Sequence, residues 1–272
     1  MAALPDLAAY LAHLGYQGDA LPTRATLGQL HRLHPQAIAF ENLSPLLGQA
    51  VPLELGALQR KLVGGGRGGW CFEHNLLLRA MLLQLGYAVT GLAARVLWQQ
   101  SPEALTPRSH MLLLVELGER RYLVDVGFGG LTLTAPLELV ADREQETPHG
   151  RFVLRATSDG YSLWSLLPQG WCVLYRFDLQ PQLPADYEFA NWYLATHPAS
   201  LFVNTLWAAR VAADGRHALL DARYSFHAAD GQTHTRQLDT VQELREVLRE
   251  QFKVVAPAGA DVDARLLHLL QN

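Results

Sequence analysis

The stretch Gly64–Asn75 reads GGGRGGWCFEHN and sets Cys71, one of only two cysteines, between a glycine-rich loop and a Leu-rich run. A cysteine in the first turn of a helix meets unpaired N–H groups and the positive end of the helix dipole, and both favour a thiolate. The glycines let another backbone or a ligand come close, and Arg67 adds positive charge nearby. Such a cysteine is a candidate nucleophile. Taken alone, it is as readily a small buried hydrophobe.

A thiolate nucleophile needs a base, and the base needs an orienter. If Gly118-Glu119 is a two-residue hairpin loop, Leu112 faces Asp125 and His110 faces Gly127. Facing residues, and residues two apart, share one side of a sheet. His110 and Asp125 then become diagonal neighbours roughly 7–8 Å apart at the backbone, within side-chain reach. A loop of odd length without a bulge would split them across the sheet. A His–Asp pair is also a common structural pair; beside a cysteine at a helix start it points to catalysis. The DVGFGG segment that follows carries Gly127, Gly129 and Gly130. Such a loop can present N–H groups to an oxyanion, or simply turn tightly.

Other candidates carry less. Cys71 and His74 have C-x-x-H spacing, but no second ligand pair follows, so no metal is expected. His31 and His34 flank a predicted helix end and read as surface or cap residues. Cys172 reads as core. Trp98 and Trp192 are candidates for lining a pocket.

The elements that must hold these groups follow from pattern. Residues 1–88 read as helical. Leu7, Tyr10, Leu11 and Leu14 repeat at helical spacing, with Pro5 in a first turn that tolerates it. Thr26 reads as the cap of a second helix carrying Leu27, Leu30 and Leu33, which Pro35 closes. Residues 72–85 make a third, with Phe72, Leu76, Leu77, Ala80 and Leu83 on one face and Gly86 as its stop. Near residue 89 the texture changes. Met111–Leu117, Arg121–Val126, Phe152–Ala156, Tyr161–Leu167 and Trp171–Phe177 read as strands, with Asp159-Gly160 as a hairpin signal. Short strands with short turns suggest a small barrel or sandwich. Pro181–Pro184 reads as a linker. Beyond it, Ala185–Leu194 reads as helix and Val203–Val211 and Ala218–Phe226 as strands around Asp214-Gly215. Val241–Phe252 reads as an amphipathic helix with Glu243, Arg245 and Glu246 outward.

The 272 residues, 49% hydrophobic and 18% charged, suit one large domain or two to three small ones. With a net charge of −4 and no run of like charges, neither a nucleic-acid groove nor an anionic membrane surface is expected. Met1–Tyr10 lack the pattern of a signal peptide, and apolar runs such as Met111–Leu114 are far too short to span a bilayer. Two cysteines cannot make a disulfide framework and fit a reducing, cytoplasmic compartment.

RGGWCFEHN (Arg67–Asn75), SHMLLLVEL (Ser109–Leu117) and YLVDVGFGG (Tyr122–Gly130) resemble the three catalytic blocks of the arylamine N-acetyltransferases. IAFENL (Ile38–Leu43), THPASLFVN (Thr196–Asn204) and the opening YLAHLGYQG resemble that family too, in the same order along almost the whole chain. The resemblance implies an α+β fold with a cysteine-protease-like core. It has an N-terminal helical bundle over 1–88, a central β-barrel over 89–184 and a C-terminal α/β lid over 185–272. It makes Cys71 the acyl acceptor, His110 the base and Asp125 its orienter. Phe40, Val96 and Phe128 match positions lining an acceptor pocket; Trp98, Ser109, Gly129 and Phe202 match positions near coenzyme A. Ser109 stands where well-known relatives have Thr, and keeps the hydroxyl. The long insertion of the vertebrate enzymes is missing, which implies the prokaryotic type.

The implied activity takes acetyl-CoA as co-substrate and acetylates arylamines, arylhydroxylamines and hydrazines through an acetyl-cysteine. Two rivals stand beside it. One is a related acyltransferase or amide synthase that uses the same triad with another acyl donor or amine; the other, from another class, is a thiol hydrolase of the protease or transglutaminase kind. A burst of coenzyme A release without peptide cleavage separates transferase from hydrolase.

Overall fold

Asp6 starts the first helix by accepting the Ala9 N–H at 3.0 Å, and α1 (Leu7–Leu14) ends at Gly15 in the left-handed region. Pro5, expected inside the first turn, precedes the cap. The computed structural model describes residues 5–271, so the first four residues of the expected helical segment, and of the stretch read as lacking a signal peptide, lie outside it. In α2 (Arg24–Ala37) the cap is Thr23, whose hydroxyl accepts the Thr26 N–H; Thr26 itself lies within the helix. Pro35 does not close α2. The helix runs on to Ala37, because Pro35 is buried and the Ile38 N–H still reaches the His34 carbonyl at 2.9 Å. There follow β1 (Phe40–Glu41), α3 (Leu43–Leu46), α4 (Leu55–Gln59), a π turn over Arg60–Gly64 and α5 (Cys71–Gln84).

Eight antiparallel strands come next: β2 (Ala88–Val96), β3 (Arg108–Leu117), β4 (Arg120–Val124), β5 (Leu137–Glu138), β6 (Glu144–Thr147), β7 (Gly150–Ala156), β8 (Tyr161–Leu167) and β9 (Gly170–Phe177). Their order is β5-β4-β3-β2-β9-β8-β7-β6. The edges β5 and β6 meet where the Gln145 side chain donates to the Glu138 carbonyl at 2.9 Å and accepts its N–H at 2.8 Å, so the sheet is a nearly closed barrel. β3 is a wall shared by two cores, which is why its sequence is a continuous apolar run. Met111, Leu113 and Val115 pack with the helices, while Leu112 and Leu114 fill the barrel.

The remaining elements are α6 (Pro184–Thr196), α7 (Leu201–Asn204), β10 (Trp207–Val211), β11 (Gly215–Leu220), β12 (Arg223–Ala228), β13 (Thr233–Gln237), α8 (Val241–Gln251) and α9 (Ala260–Leu270). A second sheet runs β1-β10-β11-β12-β13, so a strand from the first segment pairs with the last one. Two segments of this region depart from their sequence pattern. Val203 belongs to α7, which Ser200 caps, so the strand begins only at Trp207. Ala218–Phe226 is two strands, since Asp221 turns the chain at φ 50° and Leu220 pairs with Arg223. α8 buries Leu244, Val247 and Leu248 against a third core cluster. Among the described residues no helix is long and apolar enough to cross a membrane.

Candidate active site

The glycine loop has a steric cause. A Cβ on Gly68 would lie 2.0 Å from the Ala39 carbonyl oxygen, and one on Gly69 would lie 2.5 Å from a Glu73 carboxylate oxygen. Only glycine lets the chain pass between β1 and the start of α5. There Glu73 accepts the Trp70 N–H at 3.1 Å, which ties down the helix start, and Lys61 pairs with the other Glu73 oxygen at 2.7 Å. Cys71 is the first residue of α5 and is 7% exposed. Its Sγ faces the Ser109 carbonyl at 3.9 Å. Arg67 does not serve as free positive charge beside the thiol; it pairs with buried Glu41 at 2.8 Å.

The hairpin has the register that its two-residue loop predicts: Leu117 pairs with Arg120 and Leu113 with Val124. A bulge between Ala94 and Arg95 leaves Ser109 unpaired just before His110 and re-aims the strand end. His110 and Asp125 meet at 2.7 Å, Nε2 to Oδ2, both buried. The strand expected to reach Val126 stops at Val124 because side chains take over the backbone bonds. His31 Nε2 lies 3.1 Å from both the amide nitrogen and the carbonyl oxygen of Asp125, and the Asn75 carbonyl oxygen accepts the Val126 N–H at 3.2 Å.

Asp125 accepts from His110, from the Tyr175 hydroxyl at 3.0 Å, from Asn75 Nδ2 at 3.1 Å and from the Gly127 N–H at 3.0 Å. Burial pushes its carboxyl up, but His110 and these donors hold it below the usual carboxylate range. His110 is pulled the other way. Burial disfavours its charge, yet Asp125 and then Cys71 outweigh burial and raise its pKa to about 10. With Nε2 on Asp125, Nδ1 is the nitrogen left for Cys71. The set can therefore hold a proton on imidazole beside a thiolate.

Gly127 brings the DVGFGG segment against α5. A Cβ there would sit 2.7 Å from the Cys71 Cα and 3.0 Å from Asn75 Nδ2. Gly127→Ala is expected to push the helix start off its place and to lower kcat/KM by about 10²-fold, the order that follows from a misplacement of about 1 Å. Steady-state kinetics beside a thermal melt checks this. Near-parental turnover in a folded variant would show that the close approach is dispensable.

The other expected residues gather unequally. Phe128 lies edge-on to His110 at 5.2 Å and tilted to Tyr175 at 5.1 Å. Val96 pairs with Tyr175 across β2 and β9, and Trp98 packs against the barrel core with Phe128. Phe40 borders Gly129, whose Cβ would meet its ring at 3.7 Å. Phe202 lies 5.2 Å from Trp70 and 6.3 Å from Phe40. Trp192 is not in this group; it is 61% exposed on the outer face of α6. Cys172 is not core but half-buried near the end of the β8–β9 hairpin. A groove of about 480 Å³ bordered by Leu53, Leu76, Arg79, Leu83 and Tyr187 includes none of the expected site residues.

The histidines of α2 are neither surface nor cap residues. His31 and His34 are wholly buried, because they continue the α2 stripe of Leu27 and Leu30 at helical spacing. That stripe was the available signal. The Tyr10 hydroxyl meets His34 Nδ1 at 2.7 Å, and His34 Nε2 meets His74 Nδ1 at 2.8 Å. His74 Nε2 faces the carbonyls of Ala39 at 3.1 Å and Gly69 at 3.0 Å. Two carbonyls fix a proton on that nitrogen, so each ring accepts from the one before it, starting at the Tyr10 hydroxyl. Burial lowers His74 to about 4 and takes His34 well below its ordinary value, which keeps the chain neutral. The chain ends on the glycine loop before Cys71.

A family model described as N-acetyltransferase matches residues 23–259. The arylamine N-acetyltransferase of Mycobacterium tuberculosis is 42% identical over 259 residues, covering 93% of this chain and 91% of the relative. The solved structure of Mycobacterium marinum arylamine N-acetyltransferase matches with a TM-score of 0.94 at 38% identity, over 97% of this chain and 100% of that one. The structure of the Mycobacterium marinum enzyme in complex with CoA matches with a TM-score of 0.93 at 36% identity, over 97% and 99%. Alike in sequence and in fold along nearly its whole length, the chain belongs to the arylamine N-acetyltransferase family of acyltransferases.

Proposed function

We propose that the protein transfers an acetyl group from acetyl-CoA to arylamines, arylhydroxylamines and hydrazines by a ping-pong mechanism through acetyl-Cys71. The observation that carries this reading is the buried His110–Asp125 pair at 2.7 Å, with the second His110 nitrogen left for a cysteine at a helix start. Support for the donor comes from the Mycobacterium marinum relative solved in complex with CoA.

In this reading His110, oriented by Asp125, holds the proton of Cys71, and the thiolate attacks the thioester carbonyl. Coenzyme A leaves as a thiolate and takes the proton that His110 holds, which leaves the ring neutral. One thioester replaces another, so the exchange is close to neutral in energy. The amine then attacks acetyl-Cys71 with a lone pair that is free at neutral pH. His110 accepts its N–H proton, the amide forms, and Cys71 is released. Phe40, Val96 and Phe128 give the acceptor a flat apolar wall. Trp98, Ser109, Gly129 and Phe202 border coenzyme A. The segments 1–88, 89–184 and 185–272 supply nucleophile, base with orienter, and lid. The free Cys71 and Cys172 favour a reducing cytoplasm.

The test is kinetic and chemical together. Double-reciprocal plots at several amine concentrations are expected to be parallel. Mass spectrometry of protein treated with acetyl-CoA alone is expected to find the acetyl group on Cys71. Intersecting lines with no acetylated Cys71 would point to direct transfer in a ternary complex. Coenzyme A release that no amine accelerates would point to a hydrolase.

A further inference from the structure

The IAFENL stretch contains a residue with no part in the chemistry above. Asn42 is buried, and all three of its side-chain bonds go to one distant segment. Its Nδ2 donates to the carbonyls of Phe202 and Thr205, each at 2.7 Å, and its Oδ1 accepts the Trp207 N–H at 2.7 Å. Only this amide orientation satisfies all three, because the reverse sets an oxygen against two carbonyls.

The segment needs these bonds. α7 has four residues, Leu201–Asn204, too few to be stable as a helix by itself. Its last carbonyls have no helical partner and must find one elsewhere. Asn42 takes two carbonyls of this segment, and Arg265 of α9 donates to the Val203 carbonyl at 2.8 Å. α7 carries Phe202, whose ring stands edge-on to Trp70, the residue before Cys71, and against Phe40. Leu201 beside it is 64% exposed, so packing holds only one side of the turn.

We propose that Asn42 is a positioning residue that holds Phe202 against Trp70 and Phe40, and so sets the opening beside Cys71 and the affinity for the acyl donor. This rests on the reading above that Phe202 borders coenzyme A. Asn42→Asp tests it. The variant keeps the size and the acceptor for the Trp207 N–H, but turns an oxygen toward two carbonyls. The KM for acetyl-CoA is expected to rise roughly tenfold while kcat stays within about twofold, the signature of lost binding and not of lost chemistry.

A double-mutant cycle separates positioning from general damage. In a Phe202→Ala background, Asn42→Asp is expected to add little to KM, because the group it acts through is gone. A second readout needs no acetyl-CoA: the rate of Cys71 alkylation by a bulky maleimide relative to iodoacetamide, followed on the Cys71 peptide, is expected to rise at least threefold. If a melt shows Asn42→Asp unfolded, Asn42→Ser, which keeps one hydroxyl for this segment, goes through the same cycle. A parental KM and an unchanged alkylation ratio in the folded variant overturn the inference, as does full additivity with Phe202→Ala. A parent that releases no coenzyme A from acetyl-CoA overturns the proposed function instead, and the alkylation ratio still decides whether Asn42 sets the opening.

Discussion

Cys71→Ala is expected to abolish acyl transfer, a loss of at least about 10⁴-fold, while Cys172→Ala keeps most of it. The two cysteines differ in their surroundings. Cys71 opens α5, where the helix dipole favours an anion, and it borders His110. Cys172 sits half-buried on β9, and its sulfur bonds to the Gln169 amide and the Gly170 carbonyl. Among the described residues neither of these bonds is to a base or acid that could activate it. At pH 7 iodoacetamide should therefore modify Cys71 faster than Cys172, although Cys71 is the more buried. Turnover of both variants, their melts, and peptide mapping after brief alkylation check this together. Equal loss of activity in both folded variants would mean that packing explains the loss and that the nucleophile lies elsewhere.

The helix start at Cys71 and the strand around Cys172 were legible in the sequence, although Cys172 reads there as core, and so was the hairpin that brings His110 and Asp125 together. Where no bulge intervenes, strand parity depends on loop length, and Gly118-Glu119 is a loop of two residues. The shell around the pair was not legible. Asn75 reaches Asp125 and Val126 from the second turn of α5, and Tyr175 reaches Asp125 from β9. Neither residue has a local spacing that marks it, because each contact spans about fifty residues. The same cause ended β4 early: once His31 and Asn75 took the Asp125 and Val126 amides, no ladder bonds remained. β5 and β6 carry no strand pattern because they are short, and in β6 the run EQET has no apolar face. Ala218–Phe226 reads as one strand because its apolar residues run on, and only Asp221 at a positive φ shows the turn. Local pattern thus located the groups proposed to do chemistry, and tertiary hydrogen bonds decided where their supports begin and end.

Asp125→Asn is expected to lower acetyl transfer by about 10⁴-fold, the order seen when a triad loses the charge of its orienter but keeps its shape. The amide can still accept from Asn75 and the Gly127 N–H through its oxygen. Its nitrogen then faces His110 Nε2, where the carboxylate oxygen stood. Donating to Nε2 forces the ring proton onto Nδ1, and a neutral ring in that tautomer cannot take a proton from Cys71. The charge is lost as well. Burial lowers the His110 pKa, and Asp125 is the first group that raises it, to about 10. Without Asp125 burial dominates, and the ring is expected to be neutral near pH 7. Cys71 then lacks its counter-ion, so its alkylation by iodoacetamide should slow by about tenfold. Stability should follow with a definite sign. A histidine whose pKa is raised on folding from 6.5 to about 10 adds stability that is whole below pH 6.5 and is lost as the pH rises toward 10. The Tm gap between the parent and Asp125→Asn should therefore narrow from pH 7 to pH 10. A purely structural role for Asp125 predicts a gap that does not depend on pH in this range. A folded Asp125→Asn protein with a parental alkylation rate and near-parental turnover would remove Asp125 from the mechanism and leave a Cys71–His110 dyad in its place.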